Sequence, residues 1–393
     1  MVDLKDRLDA IRKMVDRGQY FTINRARQYG KTTVLRALAD DLEHDYVVVS
    51  LDFQMIETDE FASGSAFVHA LAREISRKLR RRKAVPEEIR EILSRLSEST
   101  SENTRMAELF GCFSRWCEQS EKPIVLMIDE IDTATNNQVF LDFLAQLRAS
   151  YLDRDETPAF QSVILAGLYD VRNIRRKIRQ EEEHRSNSPW NIAADFLVSM
   201  SFSVKDIAGM LESYEADKKT GMDIDGMSQL LYDYTSGYPY LVSRLCKFMD
   251  EWITVTKSSP AGSSTHVPEP DGDQRRRTAW TKAGFLEALK ILIDEKNPLY
   301  ESLINKLEDY PELKTVLYEL LFTGKPIPYT SLNKSVEVAA MFGFIKKVEG
   351  NTVISNRIFE TVLYNLFISE EYVDSRIYDA GLQGNMVLNK GSQ

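Results

Sequence analysis

No part of the chain restricts its fold more than Asn24-Arg25-Ala26-Arg27-Gln28-Tyr29-Gly30-Lys31-Thr32-Thr33. The run before it, Tyr20-Phe21-Thr22-Ile23, is short, apolar and rich in strand formers. The run after it, Val34-Leu35-Arg36-Ala37-Leu38-Ala39, has helical spacing and good helix formers. A strand, a short loop closed by Gly-Lys-Thr and a helix make a phosphate-binding loop. In such a loop, backbone N–H groups and the helix N-terminus face phosphate oxygens. This assigns Arg27, Gln28, Tyr29, Gly30, Lys31, Thr32 and Thr33 to a nucleotide. Lys31 reaches the β- and γ-phosphates, and the Thr32 hydroxyl is a ligand for Mg2+. The usual pattern, Gly-x-x-x-x-Gly-Lys-Ser/Thr, has its first glycine where this chain has Arg25. A side chain is tolerated there if the start of the loop needs no positive φ. The competing reading is a chance Gly-Lys-Thr at the head of an ordinary helix.

A second stretch argues against chance. Pro123-Ile124-Val125-Leu126-Met127-Ile128-Asp129-Glu130-Ile131-Asp132 reads as a buried strand that delivers two carboxylates to its C-terminal end. Open α/β sheets place ligands at that edge. There Asp129 suits the Mg2+ shell and Glu130 suits polarising an attacking water. Lys31 and Glu130 are thus the expected catalytic residues, and Thr32 and Asp129 the expected metal ligands. Between the two motifs lies Tyr46-Val47-Val48-Val49-Ser50-Leu51-Asp52-Phe53, a β-branched run suited to a buried parallel strand.

The remaining elements follow from periodicity. Leu4, Leu8, Ile11 and Val15 mark a helix over 4–17, and helices are expected over 31–43, 59–83, 86–97 and 104–119. Strands over 160–166 and 195–202 bring the parallel sheet to five, with 20–24, 46–53 and 124–128. Ala166-Gly167 stand at the end of the fourth, where a phosphate-sensing Asn or Thr would be useful. The basic run Arg172, Arg175, Arg176, Lys177 and Arg179 is either a solvated helix face or the source of an arginine that contacts the γ-phosphate. Helices over 204–216, 224–234 and 239–256 form a lid, with Gly237 ending one and Pro239 beginning the next. A Ser, Pro, Gly and charge-rich linker spans 257–277. Helices over 281–295, 298–308, 311–323 and 331–342 precede a hairpin with Gly350-Asn351 at its turn and a helix over 356–368. Helices plus a hairpin resemble a winged helix. The expected division is a core at 1–203, a lid at 204–256, the linker at 257–277, a winged-helix-like domain at 278–370 and a tail at 371–393.

Net charge of −10 and a pI near 5.2 do not favour non-specific nucleic-acid binding by the overall field. The three cysteines, Cys112, Cys117 and Cys246, and the four scattered histidines make neither a disulfide framework nor zinc spacing. Reduced thiols, an N-terminus without an apolar core and no long apolar run give a cytoplasmic protein with no membrane association as the expectation.

Taken together, Tyr20–Thr33, Ile124–Asp132, Val163–Val171, Gly237–Pro239 and Phe342–Phe367 resemble the prokaryotic AAA-like domain ATPases, close to the archaeal and STAND P-loop ATPases, over residues 1–370. The resemblance implies an α/β P-loop NTPase fold of the additional-strand, AAA+-like type. It implies ATP as ligand, with Mg2+, and no Asn-Lys-x-Asp guanine-reading motif occurs in the chain. It also implies that the turn at Gly237 sets Tyr238 and Pro239 against the adenine, although a plain structural turn accounts for the same residues. Relatives often continue into a PD-(D/E)xK nuclease-like domain. Residues 370–393 carry no such signature, which suggests the ATPase portion of a longer architecture or a shorter relative.

The expected function is an ATP-binding, ATP-hydrolysing switch coupled to a protein partner or fused effector, with self-association admitted. The alternatives are a nucleotide-sensing scaffold that hardly turns over, made credible by Arg25, and a DNA-associated ATPase. Nucleic acid has the weaker support. It rests on Arg77–Lys83 and Arg275–Arg277, and the helix over 331–342 is too apolar and too poor in arginine to read a groove.

Overall fold

The computed structural model describes residues 2–80, 85–168, 190–252, 278–330 and 332–374. They fall into two compact units, residues 3–200 and residues from 201 onward. The basic run 172–179, the linker 257–277, residues 81–83 of the Arg77–Lys83 run and the tail beyond 374 lie outside the described residues.

The first unit contains α1 (Lys5–Asp16), β1 (Phe21–Asn24), α2 (Lys31–Leu42), β2 (Val47–Asp52), α3 (Gly64–Leu79), α4 (Glu87–Glu98), α5 (Met106–Gln119), β3 (Ile124–Asp129), α6 (Gln138–Leu152) and β4 (Ser162–Gly167). Its four strands are parallel, in the order β1-β4-β3-β2. Every residue of β3 and β4 is buried, as strands covered on both faces require. Alternation assigns the faces. Val125, Met127, Ile164 and Ala166 join Ile11 and Val15 of α1 and Val34, Leu35 and Leu38 of α2. Ile124, Leu126, Ile128, Val163 and Leu165 pack on the opposite face with Leu71, Leu109, Phe143 and Leu147. Helix α6 was not anticipated from sequence, although Phe140, Leu141, Phe143, Leu144 and Leu147 carry the helical period and are all buried.

Four strands, rather than five, form this sheet among the described residues. The segment expected as the fifth makes one parallel bridge, Phe21 with Ala194, and no ladder follows. Its burial still alternates, with Phe196 and Met200 buried and Leu197 exposed. Two arginine side chains bond to carbonyls of this segment. Arg25 Nη2 donates to Val198 O at 3.0 Å, and Arg7 Nε donates to Ser199 O at 3.1 Å.

The second unit contains α7 (Val204–Lys218), α8 (Ile224–Thr235), α9 (Pro239–Lys247), α10 (Lys282–Asp294), α11 (Pro298–Asp309), α12 (Pro311–Phe322), β5 (Ile327–Pro328), α13 (Lys334–Met341), β6 (Ile345–Val348), β7 (Asn351–Ile354) and α14 (Arg357–Asp374). Strands β5, β7 and β6 form an antiparallel sheet. The hairpin turn is Glu349-Gly350, both at positive φ (47° and 86°), while Asn351 pairs with Val348 inside the ladder. Two residues with φ > 0 match the right-handed twist of the flanking strands, so the turn falls one residue earlier than Gly350-Asn351. Among the described residues, no helix is long and apolar enough to cross a membrane.

Phe53, fully buried just after β2, lies at the centre of an aromatic cluster. Its ring centroid is 6.2 Å from Phe61, 6.1 Å from Phe67, 5.9 Å from Phe140 and 6.4 Å from Phe143. Phe53→Ala is expected to destabilise the first unit by about 3–5 kcal/mol, because the cavity it leaves is ringed by stiff aromatic side chains. Urea denaturation checks this, and an unchanged midpoint would contradict it.

Candidate functional site

Register sets the site. Asn24 pairs with Gly167, Ile128 with Leu165 and Asp52 with Asp129, so all four strands end at one edge. The loop from β1 to α2 lies at that edge. Within it Gln28 and Gly30 have positive φ, 58° and 79°, and Gly30 is the N-cap of α2. A Cβ at Gly30 would meet nothing within 4 Å, so backbone conformation alone calls for glycine there.

Arg25 is not among the residues of positive φ, which explains how a side chain is accommodated at the start of the loop. Its guanidinium turns aside, donating to Asn24 O at 2.9 Å and Val198 O at 3.0 Å and lying 5.3 Å from the centre of the Phe196 ring. Burial depresses its pKa. The backbone N–H of Arg25 donates to Gly167 O at 3.2 Å, joining the loop to the end of β4.

Lys31 is buried, and its Nζ donates to Arg25 O at 3.0 Å and Ala26 O at 3.3 Å. Burial lowers its pKa, while Asp132, Glu130 and Asp129 pull the other way. The next residue reaches the other motif, with Thr32 Oγ1 donating to Asp129 Oδ2 at 2.6 Å. Asp129 is buried, and its Oδ1 accepts the Glu130 N–H at 2.9 Å. Glu130 follows in the left-handed region at φ 52°. Burial raises its pKa above the ordinary glutamate value. Asp129, Asp132 and Asp52 act in the same direction, and Lys31 opposes them.

The structure therefore brings Lys31, Thr32, Asp129 and Glu130 to one edge. Arg27, Gln28 and Thr33 are exposed on the same loop and helix start, and Tyr29 packs partly against the core beside α2. Tyr238 and Pro239 belong to the second unit. There the Tyr238 ring is buried edge-on against Phe359, 5.5 Å between centroids, and Pro239 opens α9. Gly237 has φ 71°, and a Cβ on it would stand 1.9 Å from Phe202 O, so turn and packing both require glycine.

Asp132 was not singled out from sequence. Its two carboxylate oxygens accept the Leu168 N–H, at 2.9 and 2.7 Å. The spacing Asp-Glu-x-Asp and the strand over 160–166 are both visible in the chain, but their meeting at Leu168 is not.

The donor set fits Mg2+. Thr32 and Asp129 bring two hard oxygens together, donors of the kind taken by an ion that keeps several waters and takes others from phosphate. No group of three or more His, Cys, Asp and Glu side chains suited to hold a metal occurs among the described residues.

Residues 5–257 match the family described as the AAA-like domain. The chain belongs to that family. This agrees with the resemblance carried by the two motifs. No curated protein matches the sequence. Among solved structures, a Walker-type ATPase of Pyrococcus abyssi aligns over 93% of this chain and 96% of its own, with a TM-score of 0.58 at 13% identity. At that identity the likeness speaks for a shared fold. The ORC2 protein of Aeropyrum pernix (TM-score 0.43, 11% identity, 93% of this chain and 94% of that one) and the RuvB Holliday junction branch migration motor of Thermotoga maritima (0.39, 13%, 91% and 93%) are more distant.

In this AAA-like domain, Arg25 ties the phosphate-binding loop to the segment at 196–198. Arg25→Ala is expected to speed amide exchange across residues 195–200 by about tenfold, equivalent to one charged hydrogen bond. Exchange at the wild-type rate would show that the tether carries no weight.

Proposed function

We propose that the chain binds ATP with Mg2+ and hydrolyses it. The observation that carries this reading is the 2.6 Å hydrogen bond from Thr32 to Asp129, which joins the two motifs with Lys31 and Glu130 beside it. Backbone N–H groups of residues 27–32 and the start of α2 would cradle the phosphates. Lys31 would leave the carbonyls of Arg25 and Ala26 to reach the β- and γ-phosphates. Its burial keeps that charge in a medium where it acts strongly. Thr32 and Asp129 would hold Mg2+, which neutralises charge on the phosphate oxygens. Glu130 orients the attacking water and accepts its proton, and burial makes its carboxylate the stronger base.

Hydrolysis of this kind serves a switch. The helical segment from 204 and the helix–hairpin module ending in α14, read as a winged helix, would respond to nucleotide state. The output would pass to a protein partner or fused effector, or between copies of the chain, in the cytoplasm of a prokaryote.

Purified full-length chain is expected to turn over ATP. Glu130→Gln should cut kcat by about 10²–10⁴-fold while retaining ATP, and Lys31→Ala should weaken ATP binding about tenfold or more. Bound nucleotide without turnover in the wild type would favour a sensing scaffold. Unchanged nucleotide affinity in Lys31→Ala would refute the phosphate site.

A further inference from the structure

Gly167 ends β4, and the space of its missing side chain is filled from the turn after β3. A Cβ there would stand 2.7 Å from Ile131 Cγ1 and 2.9 Å from Asp132 Oδ1. The Gly167 backbone is not left-handed, so space rather than conformation excludes a side chain. Asp132 lodges in that space and accepts the Leu168 N–H with both oxygens. Gly167 in turn pairs with Asn24, and its carbonyl accepts the Arg25 N–H. One carboxylate therefore joins the turn after β3 to the strand end that holds the start of the phosphate-binding loop.

That turn is one that must be held. Glu130 is a residue with a Cβ at φ 52°, a conformation that persists only where the surroundings impose it. Asp129 Oδ1 restrains it from one side through the Glu130 N–H. The 3-10 turn Ile131–Thr133 leaves it on the other side, and Asp132 anchors that turn to β4. Asp132 is also the acid that most strongly favours the charged form of Lys31, in keeping with a place between the two motifs.

We propose that Asp132 is a positioning residue for hydrolysis: seated in the space left by Gly167, it fixes the Glu130 turn against β4 and so against the phosphate-binding loop. The role rests on the reading of Glu130 as the group that orients water.

The experiment measures ATP turnover and equilibrium ATP binding for the full-length wild type, Asp132→Ala, Asp132→Asn, Gly167→Ala and the double variant Asp132→Ala/Gly167→Ala. Either alanine is expected to lower kcat about 10²-fold, the effect of a small misplacement of a catalytic group, with ATP affinity unchanged. The double variant should fall no further than the single ones, because both break the same contact. Asp132→Asn keeps an acceptor oxygen for the Leu168 N–H and should recover most of the rate. Wild-type kcat in Asp132→Ala, or affinity falling in step with rate in every variant, overturns the role and leaves the ATPase reading intact. A wild type that binds ATP without turnover overturns that reading, and the role with it.

Discussion

A parallel sheet buried on both faces has nowhere to keep a polar group except at its ends, and the first unit is arranged around that restriction. Strands β3 and β4 are buried at every residue, β1 and β2 end in the polar Asn24 and Asp52, and the one polar residue inside β1, Thr22, accepts a hydrogen bond from Trp190. Parallel pairing then brings Asn24, Asp52, Asp129 and Gly167 to one edge. The hydrogen bond from Thr32 to Asp129 follows from this register, because α2 begins over the same edge that β3 reaches.

Concentrating charge there has a cost, and the pKa directions reveal it. Lys31 is buried with two backbone carbonyls for company, and loses proton affinity for want of water. Glu130, beside three aspartates, gains proton affinity for the same reason. Asp129, Glu130 and Asp132 thus gather near one buried ammonium. On the proposed reading, a phosphate chain arriving with its divalent cation adds charges of both signs to this group, and the preset dipoles of the loop need little reorganisation to receive them.

Two departures from simple motif logic are resolved by space outside the motifs. Arg25 stands where glycine is usual, yet its backbone avoids positive φ and its side chain is absorbed by Val198 and Phe196. Gly167 lacks the polar side chain that its strand position would suit, and a carboxylate from the adjacent turn occupies the gap. In each case a residue distant in sequence supplies what the local pattern lacks.

Much of this protein was legible in its sequence because the relevant signals are local. The Gly-Lys-Thr loop, the apolar run ending in Asp129-Glu130 and the helical periods depend on backbone preference and burial pattern over a few residues, and they located β1, β2, β3 and most helices closely. The parallel class of the sheet followed from continuous apolar strands. What tertiary structure decided is non-local. Phe196–Phe202 has strong strand propensity, but a single bridge at Ala194 reaches the free edge of β1 and no ladder follows, and Arg25 and Arg7, from elsewhere in the chain, bond to its carbonyls. The hairpin turn moved one residue because strand twist, rather than composition, selects the positions of positive φ. The link between Asp132 and Leu168 arises from 36 residues of separation and the absence of one Cβ, and no window of sequence contains both.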